Sequence, residues 1–179
     1  MEVYEAVKTR LETRQFAGKP VPPEVEGEVL EAARLSPSAM NMQHWHFILL
    51  DKKEDIGKLA SLSQTGKWIG GAGFAIVVLT NPADRYHMFD AARAIADMQL
   101  TAWGRGVGSG MYTGYKQDEM KAFLGIPPGL EVTAVLGFGF PVRKVLGKKN
   151  RFPLEQIASY QRYGKPIGSL GVTGRRRTG

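Results

Sequence analysis

Three short segments hold the side chains best suited to bind or transform a ligand. The first is Arg10-Leu11-Glu12-Thr13-Arg14, followed by Phe16. Read as the end of a first helix, its spacing places Arg10 and Arg14 one turn apart on one face, where two guanidinium forks can address one anion. Ordinary ion pairs at a solvated helix end explain the same residues. The second is Ser36-Pro37-Ser38-Ala39-Met40-Asn41-Met42-Gln43-His44-Trp45, a proline-forced helix stop followed by small hydroxyls and two amides. Such a loop suits the polar edge of a planar heterocycle, and equally the Asx and Ser/Thr turns that join a helix to a strand. The third is Lys149-Asn150-Arg151-Phe152-Pro153. Its two cations fall on one side of an extended segment and with Arg10 can enclose a phosphate; the plain alternative is a basic surface loop.

Other chemistries lack their residues. The chain has no cysteine, which removes disulfides, thiolate nucleophiles and cysteine-held metals. His44 and His46 are read on one face of a strand entrance, but no carboxylate cluster joins them in the sequence, and no metal site is expected. There is no nucleophile elbow and no Walker-type phosphate loop. The run Gly104-Arg105-Gly106-Val107-Gly108-Ser109-Gly110 has a helix before it and an extended piece after it, the reverse of a dinucleotide fingerprint. It reads as a helix stop and a tight turn.

The elements that must position these segments follow from periodicity. Val3, Val7 and Leu11 mark one face of a helix over 2–14. Pro22-Pro23-Glu24 opens a second helix, with Val25, Val29, Ala32 and Ala33 on its face and Pro37 as its stop. Strands are expected at 45–50, at 74–80 (a continuous apolar run buried on both faces), near 108–113 and at 132–140. Helices are expected at 52–62, 85–103, 117–124 and from Pro153. In the longest of these, Phe89, Ala92, Ile95, Ala96, Gln99, Ala102 and Trp103 form the expected buried stripe. The order mixes helices and strands, so the class is α+β (mixed α/β) with a small sheet flanked by helices. Residues 1–179 are read as one domain, with 160–179 an extended basic tail.

Charge is uneven. Residues 1–142 hold 14 basic and 16 acidic side chains, whereas residues 143–179 hold ten basic side chains and one acidic, Glu155. That pattern argues against a globally basic nucleic-acid coat and for a local anion site or basic arm. The Arg175-Arg176-Arg177 tail leaves docking on a polyanion as the competing, non-enzymatic reading, without base-reading motifs to support it. The acidic N-terminus does not read as a signal peptide and no apolar run spans a bilayer, so a soluble, cytoplasmic protein is expected.

Taken together, the segments resemble the nitroreductase-like FMN-dependent oxidoreductase family, in order and over roughly residues 4–159. Residues 10–14 resemble its Arg-Arg-Ser-x-Arg segment, with Arg10 and Arg14 at the outer basic positions. Residues 36–45 resemble Ala-Pro-Ser-x-x-Asn-x-Gln-Pro-Trp and keep Pro37, Ser38, Asn41, Gln43 and Trp45. Gly106 to Ser109 with Met111 to Gly114 resembles the glycine turn and flavin-facing segment. Leu124 to Pro127, Leu136 to Pro141, and Lys149 to Glu155 resemble the later landmarks. Two departures stand out: Leu11 and Glu12 occupy the usually basic and serine positions, and His44 replaces a proline.

The resemblance implies a homodimer with FMN at the subunit interface, a dimer-exchanged C-terminal extension, and NADH or NADPH as donor. Arg10, Lys149 and Arg151 would hold the phosphate. Arg14 would face the flavin N1/C2 carbonyl, where reduction places negative charge. Pro37, Ser38, Asn41 and Gln43 would contact the cofactor, the loop reaching across from the partner, with the backbone of Thr113 and Gly114 near the ring. Lys67 and Trp68 are candidates to line the substrate pocket. Glu12 would repel the phosphate, bond a ribityl hydroxyl or orient Arg14. No catalytic side chain is expected, since flavin N5 carries the chemistry. Nitroaromatics, quinones or free flavin would be the acceptors in a ping-pong cycle; flavin cleavage and reductive dehalogenation are alternatives on the same fold.

Overall fold

A computed structural model describes residues 1–143, 147 and 149–168. The Arg175-Arg176-Arg177 tail and the basic residues Lys144 and Lys148 lie outside the described residues. The chain divides into two compact units, Met1–Gly147 and Lys148–Gly179.

The first unit contains α1 (Val3–Thr9), α2 (Pro23–Leu35), β1 (Trp45–Leu50), α3 (Lys53–Leu62), β2 (Phe74–Thr80), α4 (His87–Gly104), β3 (Gly108–Tyr112), α5 (Gln117–Leu124) and β4 (Glu131–Gly139). In the second unit, α6 (Leu154–Ile157) follows Pro153. The strands form one antiparallel sheet in the order β1-β2-β4-β3.

All seven residues of β2 are buried, because the strand is central and both sheet faces are covered. Phe74, Ile76 and Val78 point to one face, where Val29 and Ala33 of α2 and Ala94 and Met98 of α4 meet them. Ala75, Val77 and Leu79 point to the other, against Ile56 and Leu59 of α3 and Met120 of α5. Alternation along a strand produces both cores from one apolar run. Phe74 and Phe138 stack across the β2–β4 pair, 4.7 Å between ring centroids.

Two helical faces differ from the sequence expectation. On α1 the buried residue is Ala6, while Val3 and Val7 face outward. On α4 the buried stripe is Asp90, Ala91, Ala94, Ile95, Met98, Gln99 and Ala102. Phe89, Ala92 and Ala96 are exposed. The helix is rotated so that alanines and Met98 meet the sheet, where small side chains let it approach closely, and Phe89 turns outward.

Candidate functional site

The segment expected to end the first helix is extended instead. α1 stops at Thr9, and its C-cap Arg10 has φ −57 and ψ 126. The chain then runs along the outer edge of β3. Glu12 forms a parallel bridge with Ser109, the Thr13 amide donates to the Ser109 carbonyl at 2.8 Å, and Phe16 bridges to Pro141. An edge strand has free backbone groups, and they capture this segment. Glycine is required for the approach: a Cβ at Gly108 would collide with the Thr13 side chain, and one at Gly110 would stand 2.6 Å from the Thr13 carbonyl oxygen and 2.7 Å from the Trp68 ring. The glycine run is therefore more than a helix stop and turn. Gly106 supplies the turn at φ 76, and Gly108 and Gly110 make a floor within β3.

Arg10 and Arg14 are thus not on a helix face. Strand period two still puts Arg10, Glu12 and Arg14 on one side and buried Thr13 on the other. The Arg10 Nη1 donates to Glu12 Oε1 at 2.9 Å, and the Met111 amide donates to Glu12 Oε2 at 3.2 Å. Glu12 therefore ties Arg10, rather than Arg14, to β3.

Arg14 lies over Trp68, with its Cζ 5.8 Å from the ring centroid. No carboxylate pairs with it among the described residues. Trp68 leans on Phe16 at 6.1 Å and meets Tyr112 edge-on at 5.9 Å. Burial pushes the Tyr112 phenol well above its ordinary range, so it stays neutral. Trp68 Nε1, Thr13 Oγ1 and Ser109 Oγ are buried polar atoms without a protein partner. Trp68, reached from the sequence only as a pocket-lining candidate, is the platform under Arg14.

The loop over 36–44 is built differently. The Ser36 hydroxyl donates to Asp97 at 2.5 Å. The Ala39 amide donates to the Asp90 carboxylate, 3.2 and 3.1 Å from its two oxygens. Asp90 is 1% exposed. The His44 Nε2 sits 3.3 Å from Asp90 Oδ2, and Arg93 stands 3.8 Å from Oδ1. The loop makes one 3₁₀ turn over Ala39–Asn41, and Met40, Asn41 and Gln43 all have positive φ, at 51, 55 and 49. Three such residues in four positions hold strain that surrounding contacts must sustain.

Ser38, Asn41 and Gln43 satisfy one another. The Gln43 amide donates to Ser38 Oγ at 3.0 Å, and Gln43 Nε2 donates to Asn41 Oδ1 at 3.1 Å. Turn chemistry accounts for these bonds, and both amide side chains remain on the exposed surface beside Pro37. His44 and His46 do not share a face: His44 turns to α4, while His46 lies with Ile48 and Leu79 on the α5 side. His44 stands before the first strand residue, Trp45, so strand alternation does not bind it. Asp90 and Asp97, the two anchors, are not among the expected site residues; their seven-residue separation, which puts them on one face of α4, is the signal the sequence carries for them.

The two segments meet α4 at different places. The loop is fixed at Asp97 and runs toward Asp90, whereas the basic segment begins where Trp103 Nε1 donates to Thr9 Oγ1 at 3.0 Å. Asp90 and Trp103 are separated by about 20 Å along the helix at 1.5 Å per residue.

Thr113 is exposed just beyond β3. The Gly114 carbonyl accepts the Gln64 amide at 2.8 Å, and a Cβ at 114 would lie 2.7 Å from Thr65 Oγ1. Packing against the Thr65 side chain therefore already favours this glycine. In the second unit Lys149 is partly buried, and exposed Arg151 donates from Nη1 to the Asn150 carbonyl at 2.8 Å.

The model of the Nitroreductase family matches residues 7–69 and 60–140, a span that includes the basic segment, the loop and the whole sheet. The chain belongs to the Nitroreductase family. A curated relative from Archaeoglobus fulgidus, named "Putative NADH dehydrogenase/NAD(P)H nitroreductase", is 32% identical over 151 residues, 78% of this chain and 86% of the relative. A nitroreductase family protein from Clostridium difficile superposes with a TM-score of 0.79 at 27% identity, covering 90% of this chain and 99% of that one. A structure described as an oxidoreductase containing FMN gives a TM-score of 0.79 at 26% identity, covering 91% and 92%. The antiparallel four-strand sheet flanked by helices is the nitroreductase fold, and the family is one of enzymes.

Proposed function

We propose that this nitroreductase family member is a homodimeric, FMN-dependent NAD(P)H oxidoreductase. The observation that carries the reading is Arg14, a guanidinium laid on Trp68 with no carboxylate partner among the described residues. Its donors are left for a ligand, in a chain similar at 26% identity to an oxidoreductase containing FMN. The residues fit such a ligand chemically. Arg14 offers hydrogen bonds and charge to an electron-rich carbonyl edge, while the exposed amides of Asn41 and Gln43 suit a heterocycle's polar rim. Arg10, Lys149 and Arg151 are the cations assigned to the phosphate, and Pro37, Ser38 and the backbone of Thr113 and Gly114 complete the assigned contacts.

When bound, FMN would supply the redox chemistry, taking hydride equivalents from NADH or NADPH and delivering them to a nitroaromatic, quinone or free-flavin acceptor in a ping-pong cycle. The protein orients the ring and offsets the negative charge that reduction develops, the part assigned to Arg14. No side-chain acid or base is needed for the transfer.

The dimer is proposed because one chain holds its two candidate segments at separate places along α4. Two chains related by a twofold axis can bring one chain's loop to the other's basic segment. Exposed Met40, Met42, Met88 and Phe89 surround the loop's anchor with apolar surface of the kind a subunit covers. No helix among the described residues is long and apolar enough to cross a membrane, and dependence on NAD(P)H suits a cytoplasmic enzyme. The visible spectrum of the purified protein tests the cofactor: flavin absorbance bleached by NADH or NADPH supports it, and a colourless protein that takes up no added FMN refutes it.

A further inference from the structure

Glu12 is a carboxylate set among the residues assigned to bind an anion. Both its oxygens are engaged: Oε1 accepts from Arg10 at 2.9 Å and Oε2 from the Met111 amide at 3.2 Å. These bonds fix Glu12 to β3 and hold Arg10 beside it. The Arg10 and Glu12 side chains are 24% and 44% exposed, so a ligand can reach both. As a pair they carry no net charge, and Arg10 presents a ligand phosphate with less positive potential than a lone guanidinium would. Arg14, two residues along on the same side, has no such carboxylate among the described residues. The ring-binding cation is therefore undiminished, while the phosphate-binding cation is offset.

We propose that Glu12 is a specificity-determining residue that weakens this site's preference for the phosphorylated end of its ligand, so that unphosphorylated flavin competes with FMN. The inference rests on the flavin reading above and concerns one ligand chemistry, a flavin with or without its terminal phosphate. Removing the carboxylate's charge restores the full positive potential of Arg10. That change acts on the phosphate and leaves a ligand without one nearly unaffected.

The test compares FMN and riboflavin binding, by quenching of flavin fluorescence, in wild-type protein freed of bound flavin and in Glu12→Gln. Glutamine keeps an oxygen that can accept the Met111 amide, and the exposed position leaves the core untouched. The expected result is FMN affinity rising about tenfold, with riboflavin changing less than about twofold. The FMN gain also shrinks as salt is raised, because it is electrostatic. FMN affinity that stays constant or falls, or riboflavin affinity that rises equally, overturns the inference while leaving FMN as the cofactor. Binding of neither flavin to either protein overturns the flavin reading, and this inference with it.

Discussion

The basic segment over residues 10–16 and the loop over residues 36–44 are both assigned to the cofactor, yet they are held in opposite ways. The basic segment is an extended piece laid on the edge of β3, with glycines cleared beneath it at 108 and 110. Its side chains carry the charge, and its backbone is relaxed. The loop carries exposed amides on a backbone with three left-handed residues, and its fixed charges are the carboxylates of Asp90 and Asp97 behind it. One region is positioned by absent side chains, the other by buried ones. Changing the charged side chains of the first should change what binds; changing its glycine floor, or the carboxylates behind the loop, should change whether the binding surface exists at all.

The largest effect is expected at the glycine floor of the basic segment. Gly110→Val forces a side chain into the Thr13 carbonyl and the Trp68 ring, and should cost about 3 kcal/mol as an overpacking change. Denaturant unfolding measures that loss, and FMN retention after dialysis should fall with it. Asp90→Ala should follow, at about 2 kcal/mol, since it leaves the Ala39 amide without its buried acceptor. Here thermal unfolding and limited proteolysis between residues 36 and 44 give the readout; intact, protected loop backbone would contradict the anchoring role.

Arg14→Ala separates binding from stability. Arg14 is exposed, so unfolding should move by no more than about 0.5 kcal/mol, while FMN affinity falls about tenfold or more through loss of a charged hydrogen-bond donor. Equal FMN affinity in a titration would remove Arg14 from the site. Met40→Gly is the smallest perturbation. Relief of strain at φ 51 and the added freedom of the unfolded chain offset each other, so stability should stay within about 0.5 kcal/mol. A larger gain in the unfolding midpoint would mean that the strain is stored rather than balanced by the loop's contacts.

The same contrast explains what could be read from the residues alone. Strand β2 was legible because Phe74–Thr80 is continuously apolar, and α2 because Pro23 and Pro37 bracket it. The face of α4 is not legible in the residues, because alanine is acceptable on either side of a helix and the large Phe89 draws the apparent stripe toward itself. Residues 10–14 look helical by local propensity, but the free edge of β3 is a tertiary partner that local spacing does not encode. Arg10, Arg14, Asn41 and Gln43 were identifiable by type. Their partners were not, because pairing Ser36 with Asp97 and Ala39 with Asp90 spans 61 and 51 residues of chain.

The central claim is that the two regions complete one flavin site from two chains. Mixing Arg14→Ala with Asn41→Ala protein, after dissociation and reassociation, tests it most directly. In a mixed dimer one site collects both substitutions and the other collects neither. Random assortment should therefore restore roughly a quarter of wild-type NAD(P)H-dependent flavin reduction. A mixture no more active than the average of its two parents would contradict a site shared between subunits.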